Sequence, residues 1–315
     1  MTADRPTRVR LFHGGSRAVA KQVATAWPDG ELHDFGDGPD FDVALVWEAD
    51  EGELARFVAA QQNLRWLHTK ASGVPPQVLA ALGGRGVVVT NGVGTHGPAV
   101  AEHVAALLLA HYKRLPTLLD AQRDRLWRPV AADEIRHKTI GVLGLGDLGR
   151  STARLLTALG AVVLGLRRGP GAVAEVARTY RTAQLPEFLG QLDALVIAAP
   201  LTEQTRGLIG ARELALLPGG AFLVNVGRGP VVDQDALAAA LRCGHLAGAA
   251  LDVFDDEPLA ADSPLWALPN TIITPHCADS TVQTDERCLA LLLAQIERYR
   301  RARPLDNTVD LSRGY

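Results

Sequence analysis

The sequence is short of cysteine, and the few that it has form no framework. Its 315 residues include three cysteines, Cys243, Cys277 and Cys288, which form no CxxC pair and are odd in number. A disulfide-bonded secreted domain needs an even set, and a structural zinc site needs closely spaced pairs. We therefore expect reduced thiols and no metal site.

Strong charge and long apolar runs are also missing. The formal net charge is −3, and arginine and acidic residues are spread along the chain rather than blocked. This gives no reason to expect nucleic acid or an anionic membrane surface as a partner. The opening MTADRPTRVRLF lacks the apolar core of a signal peptide, and no run approaches the roughly 18 apolar residues of a membrane span. We expect a cytoplasmic enzyme.

Hydrophobic residues are plentiful, at 47% of the chain, which is enough to bury a large core in two domains. Residues 1–96 alternate short β-rich runs with helical stretches, which predicts a small α/β lobe with a parallel sheet. The predicted strands there are Val9–His13, Val43–Trp47, Arg65–Thr69 and Val87–Thr90, and the predicted helices lie near Arg17–Trp27, Glu53–Gln62 and Gln77–Leu82.

A long apolar helix is predicted over Pro98–Leu115, with proline at its start and basic residues at its end. It is apolar almost all round, so it is buried either between the lobes or against another subunit. His103 and His111 on it are interpreted as packing or surface residues rather than ligands. The charged stretch Thr117–His137, which contains Trp127, resembles a connecting arm.

The central feature of the sequence is a glycine-rich turn between two strands. Ile140–Leu143 predicts a strand, the next helix is expected from Asp147 to Leu159, and Val162–Leu166 predicts a second strand. Three glycines in the GxGxxG spacing have separate roles: Gly144 for the tight turn, Gly146 for backbone approach to a pyrophosphate, and Gly149 for close packing of the helix. The alternative is a plain turn, but the strand–helix–strand context favours a dinucleotide site.

The second strand indicates which dinucleotide binds. An NAD site usually has Asp or Glu about 20 residues after the glycines, to bind the ribose hydroxyls. This chain has Arg167 and Arg168 instead. Because a guanidinium binds a 2′-phosphate and a carboxylate repels it, we expect NADP(H). The alternative, that the arginines are solvated beside a site that tolerates NAD, remains open.

Further apolar strands follow, each typical of a parallel sheet covered on both faces. They are Ala194–Ala198, Ala221–Asn225, Ala249–Asp252 and Thr271–Thr274, with helices near Glu187–Leu192, Ala211–Leu217 and Asp233–Arg242 between them. The last helix, Thr281–Arg303, has no sheet of its own to cover, so we expect it to return to the first lobe. The predicted fold is α/β with two Rossmann-like domains and parallel sheets, the substrate domain being discontinuous and flavodoxin-like. The expected limits are 1–96 with 280–315 for the substrate domain and 97–279 for the dinucleotide domain.

Three predicted strand ends carry an Arg, a Glu and a His. Arg228 lies between two glycines after one strand, Glu257 follows the next, and His276 follows the last. Ligands gather at the carboxyl ends of parallel strands, so these groups form a candidate carbonyl-reducing site. His276 can exchange a proton near neutral pH, Glu257 would favour its imidazolium form, and Arg228 would bind a carboxylate and developing charge. Taken singly, each could instead be a salt bridge, a cap or a packing residue.

A loop in the first lobe is a candidate substrate contact. Small residues follow the strand Arg65–Thr69 in the segment Lys70–Pro76, where exposed backbone N–H groups could hold a carboxylate. An ordinary strand-to-helix connection is the alternative.

Over nearly its whole length the chain resembles the D-isomer-specific 2-hydroxyacid dehydrogenase family. Seven segments occur in the family's order: Ala71–Val74, Ala99–His103, Gly144–Gly149, Pro200–Thr202, Asn225–Gly229, Asp252–Phe254 with Glu257–Leu259, and Pro275–His276. The resemblance implies that Arg228, Glu257 and His276 are catalytic and that the amides of Ser72, Gly73 and Val74, with Arg228, bind the substrate carboxylate. The residues that it and the glycine pattern assign to the cofactor are Gly144, Gly146, Asp147, Leu148, Gly149, Arg167, Arg168, Pro200, Thr205, Val226 and Asp252.

The resemblance also implies a homodimer built partly on the Pro98–Leu115 helix and the arm. Asp252 is expected to contact the nicotinamide carboxamide, with a turn-capping carboxylate as the alternative. Pro75-Pro76 and Cys277-Ala278-Asp279 depart from the family pattern beside the carboxylate loop and the histidine. The arginine pair resembles the glyoxylate and hydroxypyruvate reductase branch, so the expected reaction is reduction of a small 2-oxoacid to a D-2-hydroxyacid. An NAD-linked enzyme for a bulkier 2-oxoacid is the alternative, followed by a non-catalytic binding protein.

Overall fold

The fold was obtained as a computed structural model that describes residues 6–33, 40–268 and 270–311. The chain divides into two compact units, residues 1–96 with 281–315 and residues 97–280. In the first unit, five parallel strands have the order β2-β1-β3-β4-β5, the order of flavodoxin-like folds. Its elements before residue 97 are β1 (Arg8–His13), α1 (Arg17–Ala26), β2 (Glu31–His33), β3 (Val43–Glu48), α2 (Glu51–Ala60), β4 (Trp66–Thr69), α3 (Pro76–Leu82) and β5 (Val88–Thr90).

The second unit contains a parallel sheet of seven strands. Its helices begin with α4 (Gly97–Tyr112), α5 (Leu115–Arg123) and α6 (Asp147–Ala158), and continue with α7 (Leu185–Leu189), α8 (Ala211–Leu216) and α9 (Gln234–Arg242). Its strands are β6 (Thr139–Leu143), β7 (Val162–Arg167), β8 (Arg178–Arg181), β9 (Ala194–Ile197), β10 (Phe222–Asn225), β11 (Gly248–Leu251) and β12 (Thr271–Ile273). The strand order is β12-β11-β10-β9-β6-β7-β8, so the chain reverses direction across the sheet beside β6. Such a switch point is where α/β sheets bind ligands.

The last helix, α10 (Val282–Arg300), belongs to the first unit. Leu292 and Ile296 on it are buried with Val9 and Leu11 of β1. The Tyr299 ring stacks on Trp66 at 4.9 Å between centroids. The predicted α/β class, with a discontinuous first domain, is confirmed.

Four elements differ from the sequence expectation. Strands β2 and β8 were not predicted, and the segment expected to be an arm begins with helix α5. The long apolar helix ends at Tyr112 rather than Leu115, because Arg114 takes a left-handed conformation with φ of 56° and separates α4 from α5. Within the described residues, no helix is both long and apolar enough to cross a bilayer.

Candidate active site

Arg228, Glu257 and His276 follow the carboxyl ends of three neighbouring strands in one sheet. Arg228 comes after β10, Glu257 lies in the loop after β11, and His276 follows β12. These strands are adjacent and parallel, so their ends meet at one edge of the sheet. The sequence reasoning had placed all three at strand ends of one sheet.

His276 and Glu257 form a direct pair. The His276 Nδ1 atom lies 2.6 Å from Glu257 Oε2, and the two side chains are 48% and 35% exposed. The other carboxylate oxygen, Oε1, accepts a hydrogen bond from the Phe254 backbone N–H at 3.0 Å, which fixes the carboxylate. A carboxylate on Nδ1 assigns the donated proton to that nitrogen and leaves Nε2 to face a reactant. The outer nitrogen of the ring is therefore the one placed to exchange a proton with a reactant.

The Arg228 loop is held by contacts that only small residues permit. The Asn225 side chain accepts from the Gly227 N–H and donates to the Arg228 carbonyl, both at 3.1 Å. A Cβ atom on Gly229 would overlap the backbone carbonyl of Phe254, so this loop and the Glu257 loop are in close contact. The glycines thus bring the arginine loop against the loop that carries the acid.

Asp252 holds the turn that presents His276. Its carboxylate is 1% exposed and accepts hydrogen bonds from the Thr274 hydroxyl at 2.6 Å and from the N–H groups of Cys277 and Ala278, both at 3.0 Å. Its carbonyl accepts the His276 N–H at 2.8 Å. His276 itself has φ of 49°, a left-handed conformation that needs such support in a residue with a Cβ atom. These bonds match the turn-capping alternative, while contact with the nicotinamide stays a prediction.

His103 belongs to the same network, although the sequence analysis interpreted it as a packing or surface residue. Its Nε2 atom lies 3.1 Å from the Thr274 hydroxyl oxygen and 3.7 Å from Asp252 Oδ1. His111, on the same helix, stacks on the Phe222 ring at 3.9 Å. The sequence signal for His103 was its place in the Ala99–His103 segment, but the spacing could not show what it contacts.

The glycine-rich turn fits a dinucleotide pyrophosphate. Gly144 has φ of 95°, and a Cβ atom there would lie 2.7 Å from the Ala199 backbone nitrogen. On Gly149 it would overlap the Gly144 carbonyl oxygen, whereas on Gly146 it would meet no protein atom within 4 Å. Gly146 therefore faces open space at the start of α6, where backbone N–H groups and the helix dipole favour an anion.

The other predicted cofactor residues lie along the same edge of the sheet or at the start of α6. Arg167 ends β7, Arg168 follows it, and Arg168 Nη1 donates to Gln204 at 3.2 Å. The Thr205 hydroxyl donates to the Pro200 carbonyl at 2.6 Å, which closes the turn after β9. Val226 follows β10 and is buried, and Asp147 and Leu148 open α6. The structure thus brings this set into one unit around the switch point.

The loop with Ser72, Gly73 and Val74 belongs to the first unit. The Ser72 carbonyl accepts from the Asn91 side chain at 2.9 Å, and the Ala71 carbonyl accepts from the Gly92 N–H at 2.9 Å. In the described part of the chain, the amide N–H groups of Ser72, Gly73 and Val74 donate to no other residue. Pro75 and Pro76 directly follow, and Pro76 is the first residue of α3, a position where proline needs no N–H partner. The departure from the family pattern therefore starts a helix.

Comparison with known proteins identifies the family of the chain. Residues 105–278, more than half of the chain, match the model described as D-isomer specific 2-hydroxyacid dehydrogenase, NAD binding domain. Glyoxylate/hydroxypyruvate reductase B of Yersinia pestis is 36% identical over 234 residues, which are 72% of each chain.

Two solved structures share the fold over 99% of this chain and 100% of theirs, each with a TM-score of 0.84. One is a D-isomer specific 2-hydroxyacid dehydrogenase from Xanthobacter autotrophicus in complex with NADPH, at 35% identity. The other is an NADPH-dependent glyoxylate/hydroxypyruvate reductase from Sinorhizobium meliloti in complex with NADP, at 31% identity. The predicted nicotinamide-dependent oxidoreductase is thereby confirmed: the chain belongs to the D-isomer specific 2-hydroxyacid dehydrogenase family.

Proposed function

We propose that this protein reduces a small 2-oxoacid of the glyoxylate or hydroxypyruvate type to the D-2-hydroxyacid, with NADPH as the reductant. The observation that carries the proposal is the His276–Glu257 pair at 2.6 Å, at the same sheet edge as Arg228. A protein that only binds a dinucleotide has no need of a matched proton donor. The Yersinia and Sinorhizobium relatives named above support the choice of substrate.

The residues divide the reaction between them. The nicotinamide, when bound, supplies a hydride to the carbonyl carbon. His276 donates the proton from Nε2 to the carbonyl oxygen, so that C=O becomes CH–OH. Glu257 stabilises the imidazolium before transfer, and Arg228 binds the substrate carboxylate and stabilises the charge that develops on oxygen.

Both units contribute ligands in this proposal. The second unit binds the dinucleotide through the glycine turn and Arg167 with Arg168, and the first unit binds the substrate carboxylate through the amides of Ser72, Gly73 and Val74. The absence of acidic residues at the end of β7 supports NADPH, since a carboxylate there would repel its 2′-phosphate. The three cysteines are free thiols, which suits a reducing compartment, and we propose the cytoplasm.

A substrate panel tests the proposal. Purified protein is mixed with NADPH or NADH and with glyoxylate, hydroxypyruvate, pyruvate or a branched 2-oxoacid, and absorbance of the reduced nicotinamide is followed. We expect oxidation of NADPH with glyoxylate and hydroxypyruvate, and chiral analysis of the hydroxypyruvate product should give the D-isomer. Preference for NADH with the branched acid would favour an NAD-linked enzyme, and no oxidation with any acid would favour a binding protein.

We also propose a homodimer that buries α5 and the segment after it. Within the described residues, α5 has no buried residue, and large apolar side chains on and after it are exposed. They are Leu115 at 45%, Leu119 at 50%, Leu126 at 57% and Trp127 at 99%. Contiguous exposed apolar surface of this kind marks a protein interface. Light scattering of the wild type should give twice the chain mass. The double variant Leu119→Glu, Trp127→Ala should give the mass of a monomer. A monomeric wild type would exclude the dimer.

A further inference from the structure

A pocket of about 320 Å³ lies beside the end of β7 and has no assigned role. Its lining is formed by Gly169, Gly171 and Ala172 of the loop after β7 and by Thr179 and Arg181 of β8. Arg167 borders it, since the Arg167 Nη2 atom would lie 3.0 Å from a Cβ atom on Gly169. The pocket is therefore flanked by two guanidinium-bearing residues from neighbouring strands.

Strand register places these two arginines side by side. Arg167 of β7 pairs with Arg181 of β8 in the parallel ladder. Paired residues on neighbouring strands lie about 5 Å apart and point to the same face of the sheet. Each arginine is the last residue of its strand, at the edge where this class of sheet binds ligands.

Charge compensation separates this pair from the other arginines nearby. Arg150 and Arg154 both contact Glu175, and Arg178 contacts Glu187 at 2.8 Å. Among the described residues, neither Arg167 nor Arg181 forms an ion pair with a carboxylate. Two like charges held side by side without a counter-charge repel each other, and an anion bound between them would remove that repulsion.

We propose that Arg181, together with Arg167, binds the 2′-phosphate of NADPH in this pocket. The inference rests on the proposed NADPH preference. It adds Arg181, a residue that the sequence motif does not contain, because the motif covers β6, the glycine turn, α6 and β7 but not β8. Two guanidinium forks can contact several oxygens of a phosphate monoester, whereas the ribose hydroxyl of NADH offers no charge to either. Arg168, whose Nη1 atom bonds to Gln204, has the lesser role.

The test measures binding rather than turnover. Adenosine 2′,5′-bisphosphate and 5′-AMP are titrated by calorimetry into wild-type protein and into Arg181→Gln. We expect the bisphosphate to bind wild type more tightly than 5′-AMP does, and Arg181→Gln to weaken the bisphosphate about tenfold or more while 5′-AMP changes less than about twofold. In titrations followed by nicotinamide fluorescence, Arg181→Gln should likewise weaken NADPH binding and change NADH binding little.

Arg178→Gln is the matched control, because it removes the same charge from the same strand at a residue already paired with Glu187. Arg178→Gln should leave the affinity for both ligands unchanged, whereas Arg167→Gln should weaken the bisphosphate as Arg181→Gln does. Arg181→Lys keeps the charge without the fork and should give an intermediate loss.

Failure of this inference and failure of the proposed function give different results. If wild type prefers the bisphosphate and Arg181→Gln keeps that preference, Arg181 is not a phosphate ligand. If Arg181→Gln weakens 5′-AMP as much as the bisphosphate, the residue contacts the adenosine instead, and the inference is again wrong. If wild type binds the two ligands equally, the NADPH preference itself is overturned, and the 2′-phosphate site with it.

Discussion

The two nitrogens of the His276 ring have different surroundings, and this difference sets the role of the residue. Nδ1 is engaged by Glu257 at 2.6 Å, so the ring is oriented by a fixed carboxylate. The ring is 48% exposed, which leaves Nε2 accessible to a reactant. A general acid needs this combination of a fixed ring and a free donor.

Replacing His276 with Gln should abolish most turnover and spare cofactor binding. The amide of Gln cannot give up a proton near neutral pH, so we expect kcat to fall by at least about a hundredfold. The Kd for NADPH, measured by fluorescence, should change less than about threefold, because His276 is not part of the glycine turn. His245→Gln, in the same unit, is the control. Near-normal rates in His276→Gln would remove His276 from the mechanism.

The sequence could indicate the three site residues because each follows an apolar strand that is easy to recognise. It could not reveal the network beneath them. Asp252 and His103 are far apart in the chain, and the bonds that Asp252 makes to the turn after β12 depend on how α4 and two strand ends pack together. The role of the Asn225 side chain was easier to predict from the sequence, since an Asn two residues before a glycine is a usual turn former.

At the scale of elements, the turn between β6 and α6 has glycines that differ in what surrounds them. A side chain on Gly149 would overlap the Gly144 carbonyl and force α6 away from β6, whereas one on Gly146 would enter open space. Gly149 thus allows α6 to pack against β6, and Gly146 leaves room for a ligand. A substitution at Gly149 should therefore affect stability, and one at Gly146 should affect ligand binding.

Gly149→Ala should lower the free energy of unfolding by about 1–3 kcal/mol, as overpacking does. Gly146→Ala should change it by less than about 1 kcal/mol, yet weaken NADPH about tenfold or more, because the methyl group occupies the space that a pyrophosphate needs. Urea unfolding and NADPH titration of both variants separate the effects. Equal NADPH affinity of Gly146→Ala and wild type would show that the dinucleotide does not approach this turn.

The elements that the sequence did not predict lack the patterns on which prediction depends. Strand β2 has three residues at the sheet edge, and β8 reads Arg-Thr-Tyr-Arg, in which only Tyr180 is buried. Helix α5 spans nine residues and buries none of them within the described chain, so it adds nothing to the pattern of buried positions on which the prediction depended. Buried strands were found at nearly the right limits because they are continuously apolar.

At the scale of the whole molecule, each unit contains a histidine that burial keeps neutral. Burial lowers the pKa of His68 to about 4. His68 Nδ1 lies 2.9 Å from the Thr90 hydroxyl oxygen, which also accepts the Trp66 Nε1–H, so the hydroxyl proton is left for His68. In the second unit, burial, with a smaller contribution from Arg114, lowers the pKa of His111 to about 4. Both rings therefore stay neutral in the folded chain until the pH falls to about 4.

Acid should therefore destabilise the fold before the carboxylates titrate. Above pH 6.5, the ordinary pKa of histidine, both states are neutral at these sites and the full stability is present. As the pH falls towards about 4, the unfolded chain binds protons that the native chain does not. At His68 alone this lowers the free energy of unfolding by about 1.4 kcal/mol per pH unit. Urea midpoints at about pH 7 and about pH 5 measure this slope.

His68→Asn should flatten the acid slope of the first unit, although it lowers stability at neutral pH. The Asn side-chain oxygen can accept the Thr90 hydroxyl as Nδ1 does, but the amide does not titrate, so the unfolded state gains no proton there. His137→Asn, an exposed change at a left-handed residue that Asn tolerates, is the control and should leave the slope unchanged. If His68→Asn kept the wild-type slope, the acid sensitivity would have to arise from other groups, and the buried His68–Thr90 bond would not be its source.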